Sequence, residues 1–268
     1  MTLLHLVVLA LVQGITEFLP ISSSGHLILI PLVADWPDQG LVLDVAVHVG
    51  TLLAVMLYFW RDMLAMLLGL LNLLRGRRTA GSRLVALILL ATVPVVVAGF
   101  VLQRLGAMEG LRTVLVIGWA TLVFGILLWL ADQLGMTIRR VEHMSARAAF
   151  LIGLSQVLAL IPGTSRAGIT MTVARLLGFE RDDTARFSML LSIPTILAAG
   201  TLAGLDLAQD GNAALGLSAV LAGLLAFGAA LLSIWGLMWW LRRATYTPFV
   251  LYRLLLGGAL LAWGYGLI

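Results

Sequence analysis

Six long apolar runs, at about residues 42–60, 84–103, 113–131, 185–205, 214–241 and 248–268, alternate with short polar links. Each approaches or exceeds the roughly 20 residues needed to cross the hydrocarbon core of a bilayer as a helix. Two further apolar stretches are broken in the middle. The first runs over residues 3–33 and is interrupted by Glu17, Pro20, Ser22, Ser23, Ser24, Gly25 and His26. Pro20 cannot continue a helix, and the serines supply N-cap oxygens for a second short helix ending near Val33. The second stretch runs from Ala148 to Ile161, breaks at Pro162-Gly163-Thr164-Ser165-Arg166-Ala167-Gly168, and resumes over Ile169 to Leu177. Both patterns predict re-entrant hairpins, pairs of half-helices that enter and leave on one side. In lipid, open backbone and a carboxylate are tolerated only where protein or a water-filled cavity surrounds them. The two breaks are therefore the candidate site.

Composition agrees with the pattern. Of 268 residues, 61% are hydrophobic and 11% charged, against about 25% charged in soluble domains. The expectation is an all-α polytopic membrane protein, one integral domain over residues 1–268. The opening Met1-Thr2-Leu3-Leu4-His5 has no basic region or cleavage site, so no removable signal peptide is expected. Cysteine is absent, which excludes disulfides and thiolate chemistry. All 17 basic residues are arginines, scattered among loops rather than gathered in a patch, so nucleic acid is not an expected partner. They report topology instead. A loop carrying Arg61, Arg75, Arg77, Arg78 and Arg83 is expected inside, as are 132–147 and Arg242-Arg243. The links 104–112 and 206–212 are expected outside, and residues 35–40 form a surface turn with Trp36 at the interface.

The halves are weakly alike. Pro20 to Ser24 matches Pro162 to Arg166, Gln13 matches Gln156, and Val49 to Ala54 matches Ile193 to Ala198. Each half, about 1–131 and 148–268, comprises one hairpin plus three spans, and three spans invert the second half. That is the inverted-repeat plan, with paired broken helices meeting near the midplane. The first break offers Gln13, Glu17, Ser22, Ser23, Ser24 and His26; the second offers Ser165, Arg166 and Thr170. Gln13 and Glu17, four apart, share a helix face. Helix N-termini at each break suit phosphate, and Arg166 adds a planar bidentate donor. Glu17 with Gln13 provides oxygen ligands for a hard divalent cation. Serine with histidine supplies a nucleophile and a proton carrier. Asp44 and His48, four apart on the next span, either line the same cavity or satisfy each other locally.

Two motifs, Gln13-Gly14-Ile15-Thr16-Glu17-Phe18-Leu19-Pro20-Ile21-Ser22-Ser23-Ser24-Gly25-His26 and Pro162-Gly163-Thr164-Ser165-Arg166-Ala167-Gly168-Ile169-Thr170, resemble those of the undecaprenyl-diphosphate phosphatases, also called bacitracin-resistance proteins. The sequence departs from the family pattern at Gln13, where some members have glutamate, and at Ala167, where serine is usual. The resemblance implies hydrolysis of undecaprenyl diphosphate to the monophosphate and phosphate, recycling the lipid carrier for cell-wall synthesis. It also implies an inner-membrane protein with its site facing the periplasm and dependent on Mg²⁺ or Ca²⁺. By the same resemblance Ser23 is the nucleophile or water-orienting hydroxyl, His26 the acid/base, and Glu17 a metal ligand or base. Arg166 clamps the diphosphate, with Ser22, Ser24, Gly163, Ser165 and Thr170 assisting. The sequence is silent on oligomeric state, and a homodimer is allowed. Acid-phosphatase-like lipid phosphatases fit less well, because Thr172 occupies the position where they need a histidine after the arginine. A secondary transporter or flippase of lipid phosphate is the alternative, since transporters share the inverted-repeat plan.

Overall fold

A computed structural model describes residues 2–36, 40–106, 109–209 and 216–267. Among these, regular structure is helical apart from one isolated bridge between Arg139 and Phe179. The elements are α1 (Leu3–Thr16), α2 (Ser23–Ala34), α3 (Leu41–Tyr58), α4 (Trp60–Leu74), α5 (Ala80–Arg104), α6 (Val114–Leu134), α7 (Ala146–Ser155), α8 (Arg166–Leu176), α9 (Arg181–Gln209), α10 (Leu217–Leu241) and α11 (Thr247–Gly264). Helices α3, α5, α6, α9, α10 and α11 are long and apolar enough to cross a membrane. They correspond to the six predicted runs, and the chain is a multi-pass membrane protein.

The broken stretches are pairs of short helices. With 14, 12, 10 and 11 residues, α1, α2, α7 and α8 reach only about 15–21 Å at 1.5 Å per residue, too little for a crossing. Both pairs turn back on themselves. The His5 and Trp36 rings, at the start of α1 and just after α2, lie 4.4 Å apart between centroids. In the second pair, Ile138 and Arg139 donate their N–H groups to Gly178 O, and Glu180 N donates to Arg139 O. The segment preceding α7 is thus pinned to the segment following α8. Helix α6 runs between the two openings: Arg112 before it shares a cavity with Trp36, and Asp132 near its end takes Arg175 of α8.

One expectation is corrected. The predicted arginine-rich loop 61–83 contains α4, because the arginines bracket the apolar run Met63 to Leu74 instead of filling it. The loop contracts to residues 75–79, after which a Thr79–Ser82 capping box starts α5. Helix α4 packs on α5 where Gly69 and Gly81 meet, a Cβ on Gly69 falling 2.3 Å from the Gly81 backbone. Two boundaries also move. Helix α7 tightens into a 3-10 turn over Gln156–Leu160, and α8 begins at Arg166, capped by Ser165. Of the predicted turn 35–40 and the links 104–112 and 206–212, residues 37–39, 107–108 and 210–212 lie outside the described residues.

Small residues let the helices approach closely, the usual basis of packing in membranes. Helix α10 lies against α1 and α3, α11 against α6, and α7 against α5. At the end of α6, Asp132 collects Arg175 Nε (3.2 Å), Arg181 Nε (2.7 Å) and Tyr246 N (3.1 Å). This buried cluster ties α6, α8, α9 and the start of α11 around the open end of the second hairpin.

Candidate active site

The two breaks share an unusual local geometry. Ser22 and Ser165 both have positive φ, 74° and 70°, a conformation that is uncommon for non-glycine residues and clusters at functional sites. Each is the N-cap of the helix that follows. Ser22 Oγ accepts from Gly25 N (3.3 Å), as Ser165 Oγ accepts from Gly168 N (3.1 Å). The breaks are joined directly, because Ser22 Oγ also accepts from Gly163 N at 3.1 Å.

Arg253 of α11 completes the junction. Its side chain is fully buried, with no carboxylate partner among the described residues, and its donors go to backbone oxygens. It reaches Pro20 O (3.1 Å) in the first break, Gly163 O (3.0 Å) and Thr164 O (2.9 Å) in the second, and Thr121 O (3.0 Å) on α6. The carbonyls freed by breaking two helices are thereby satisfied without water. Sequence reasoning passed over Arg253; the available signal was an arginine inside an otherwise apolar run.

Held this way, the hairpins present their polar side chains to one another. Glu17 Oε2 accepts from Gln13 Nε2 (2.9 Å) and from Ser23 Oγ (2.7 Å). Its Oε1 accepts from Arg166 Nη2 at 3.2 Å, across 149 residues of chain. Arg166 is braced from behind, since its Nη1 donates to Ser188 O of α9 at 3.2 Å. Ser23, Glu17 and Arg166 line a cavity of about 350 Å³ with Ser22, Ser24 and Ser165. Asp44 and His48 of α3 line it as well, and Leu41, Val45, Ile196, Ala199 and Ala203 of α3 and α9 give it an apolar side. His48 Nδ1 donates to the backbone Asp44 O (2.6 Å), so the ring is tied to its own helix while both residues line the cavity.

Four residues predicted for the site stand behind it. His26 is engaged at both ring nitrogens, by Ser22 O (2.7 Å) and by Tyr252 OH (2.5 Å), and is not among the cavity-lining residues. Thr170 is buried, donating to Arg166 O and Ala167 O and bonded to Ser188, which locks α8 onto α9. Gly163 lies at the junction, where a Cβ would sit 2.5 Å from Ile117 O. Gln13 is fully buried beneath Glu17. Sequence reasoning also missed Tyr252 and Ser188, which carry no motif of their own.

A divalent cation fits the donor set. Among the described residues Gln13 Oε1 is buried with no hydrogen-bond partner; the amide presents Nε2 to Glu17, so a cation shared with the carboxylate requires the amide to turn over. Glu17, Gln13 and the Ser23 hydroxyl are all hard oxygen donors of the kind Mg²⁺ and Ca²⁺ take.

The chain is similar to known proteins over nearly its whole length. The chain is 56% identical over 274 aligned positions to "Undecaprenyl-diphosphatase 1" of Rhodospirillum rubrum, covering 99% of this chain and 96% of that protein. It is 52% identical to the "Undecaprenyl-diphosphatase" of Ruegeria pomeroyi, covering 99% and 100%, and 50% identical to that of Hahella chejuensis, covering 99% of each. The model of the family described as "Bacitracin resistance protein BacA" matches residues 6–259. With that match spanning nearly the whole chain, the protein belongs to the BacA bacitracin-resistance family.

Proposed function

We propose that the protein hydrolyses undecaprenyl diphosphate to undecaprenyl phosphate and inorganic phosphate, recycling the lipid carrier used in cell-wall synthesis and thereby conferring bacitracin resistance. One observation carries this reading: a hydroxyl, a carboxylate and a guanidinium from two distant hairpins converge within hydrogen-bonding reach in a cavity with one apolar side. The names of the relatives supply the substrate. Phosphoryl transfer asks mainly for positioning and for stabilisation of charge on the oxygens. Arg166 exchanges Glu17 for non-bridging oxygens of the diphosphate, while the N-termini of α2 and α8 point their dipoles into the same space. Ser23 Oγ attacks the terminal phosphorus or orients the water that does, and its proton passes to Glu17, already its hydrogen-bond acceptor. The anhydride P–O bond breaks with its electron pair leaving on the lipid phosphate. In the covalent route a water, giving one proton back to Ser23 through Glu17, then cleaves the phosphoserine to free phosphate. The lipid product stays with its tail along the apolar side. Glu17 and Gln13 would hold the divalent cation, which supplies charge neutralisation of the phosphates when bound. His26 reaches the cavity only by leaving Tyr252, so the acceptor nearest Ser23 is Glu17 and His26 positions Ser22.

The hairpins are read as halves of an inverted repeat, supported by their matching caps and by their openings at opposite ends of α6. The proposed location is the bacterial inner membrane, and the positive-inside rule supports a periplasmic position for the arginine-poor end, on which the first hairpin opens. The test is phosphate release by purified protein in detergent with Mg²⁺. Release from undecaprenyl diphosphate that stops on adding EDTA and resumes with excess Mg²⁺ or Ca²⁺ is the expected result. Movement of lipid phosphate across sealed vesicles with no hydrolysis would instead make the protein a transporter.

A further inference from the structure

Hydrolysis makes two products of opposite character. The lipid phosphate is anchored in the bilayer, whereas free phosphate is a small anion that cannot leave through hydrocarbon. The structure contains a second cavity, of about 520 Å³, that shares Ser24, Asp44 and His48 with the catalytic cavity. Those three residues line both spaces, so the two cavities adjoin. Beyond them the second cavity is lined by Asp35, Trp36 and Arg112 at the open end of the first hairpin. Arg112 is exposed, has no ion pair among the described residues, and is the sole arginine lining this space. The Ser24 hydroxyl, which lines both spaces, can donate to an anion passing between them. A passage works when its sites bind enough to admit an ion and weakly enough to release it.

We propose that this vestibule is the exit path for inorganic phosphate, with Arg112 as the anion-binding residue at its mouth. The inference rests on the hydrolytic reading above and adds a second phosphate site to it. Arg112 lines the second cavity and not the catalytic one, so it acts after cleavage of the anhydride. The charge of one guanidinium near a surface-exposed anion changes affinity by about tenfold.

The test is made on the full-length protein in detergent, with wild type, Arg112→Gln, Arg112→Lys and Leu32→Trp, the last narrowing the vestibule from its exposed rim. Single-turnover formation of undecaprenyl phosphate is followed by quenching, and free phosphate by a fluorescent phosphate sensor. Arg112→Gln is expected to leave the single-turnover rate unchanged and to weaken product inhibition by inorganic phosphate about tenfold, with Arg112→Lys restoring most of it. Leu32→Trp is expected to delay the sensor signal behind lipid-product formation. Unchanged phosphate inhibition in Arg112→Gln, or an equal fall in single-turnover rate, overturns the proposal. So does a change in Mg²⁺ requirement alone, which would make the vestibule a cation path. A wild type that releases no phosphate at all defeats the hydrolytic reading first, so the two failures are distinguishable.

Discussion

Replacing Ser23 with alanine lowers turnover by about a thousandfold or more and leaves the fold intact. The hydroxyl is half-buried at the cavity surface and donates to Glu17 Oε2 at 2.7 Å; its bonding serves the carboxylate and holds no helix in place. Structural neighbours do the capping: Ser22, not Ser23, caps α2 and receives the Gly163 N–H. Loss of a nucleophile or of a positioned hydroxyl therefore appears in kcat, where removal of such groups costs several orders of magnitude. Thermal unfolding in detergent should match wild type within a degree or two. A variant that turns over within a factor of about three of wild type removes Ser23 from the chemistry.

Arg253→Met gives the largest combined loss of stability and activity. Its guanidinium satisfies buried carbonyls at Pro20, Thr121, Gly163 and Thr164, and methionine offers none of those donors. Each stranded carbonyl costs about 1–3 kcal/mol; allowing for relaxation, the total is about 3–5 kcal/mol, comparable with breaking a buried ion pair. The midpoint of thermal unfolding then falls by about 10 °C. Activity falls further than stability alone requires, because the same bonds set the spacing of the Ser22–Ser24 and Ser165–Arg166 turns. A shift of about 1 Å in such groups costs on the order of a hundredfold. Lysine at this position keeps the charge but not the planar fork, so it should recover only part of either property. Wild-type turnover by folded Arg253→Met at low temperature would show that the breaks hold their shape without it.

The site was legible in the sequence where polar residues interrupt an apolar run. Glu17, Ser23 and Arg166 stand out because lipid leaves few reasons to keep them, and they are the residues that meet. The spans were legible for the same reason, from length and hydropathy alone. Helix α4 was not, because its flanking arginines carried a topology signal that outweighed the apolar run between them. Nor could spacing separate residues facing the cavity from those behind it. His26 and Ser23 lie in the same first turn of α2, yet the helix carries one toward Glu17 and the other toward Tyr252. Thr170 likewise sits one turn after Arg166 but bonds back to its own helix and to Ser188. Arg253 and Asp132 were missed because their partners, backbone oxygens for the one and two arginines and a backbone N–H for the other, lie far away in the chain, which no local pattern records.

The central claim is that residues of both hairpins act as one catalytic unit, and the cycle Glu17→Gln, Arg166→Met and the double variant measures it directly. With kcat/KM for phosphate release as the readout, each single change should cost about a hundredfold to a thousandfold. If the 3.2 Å pair works as a unit, the double variant should be within about tenfold of the worse single variant, as for groups that share one task. Losses that multiply in full would mean the two residues contribute independently, and the shared site described here would be wrong.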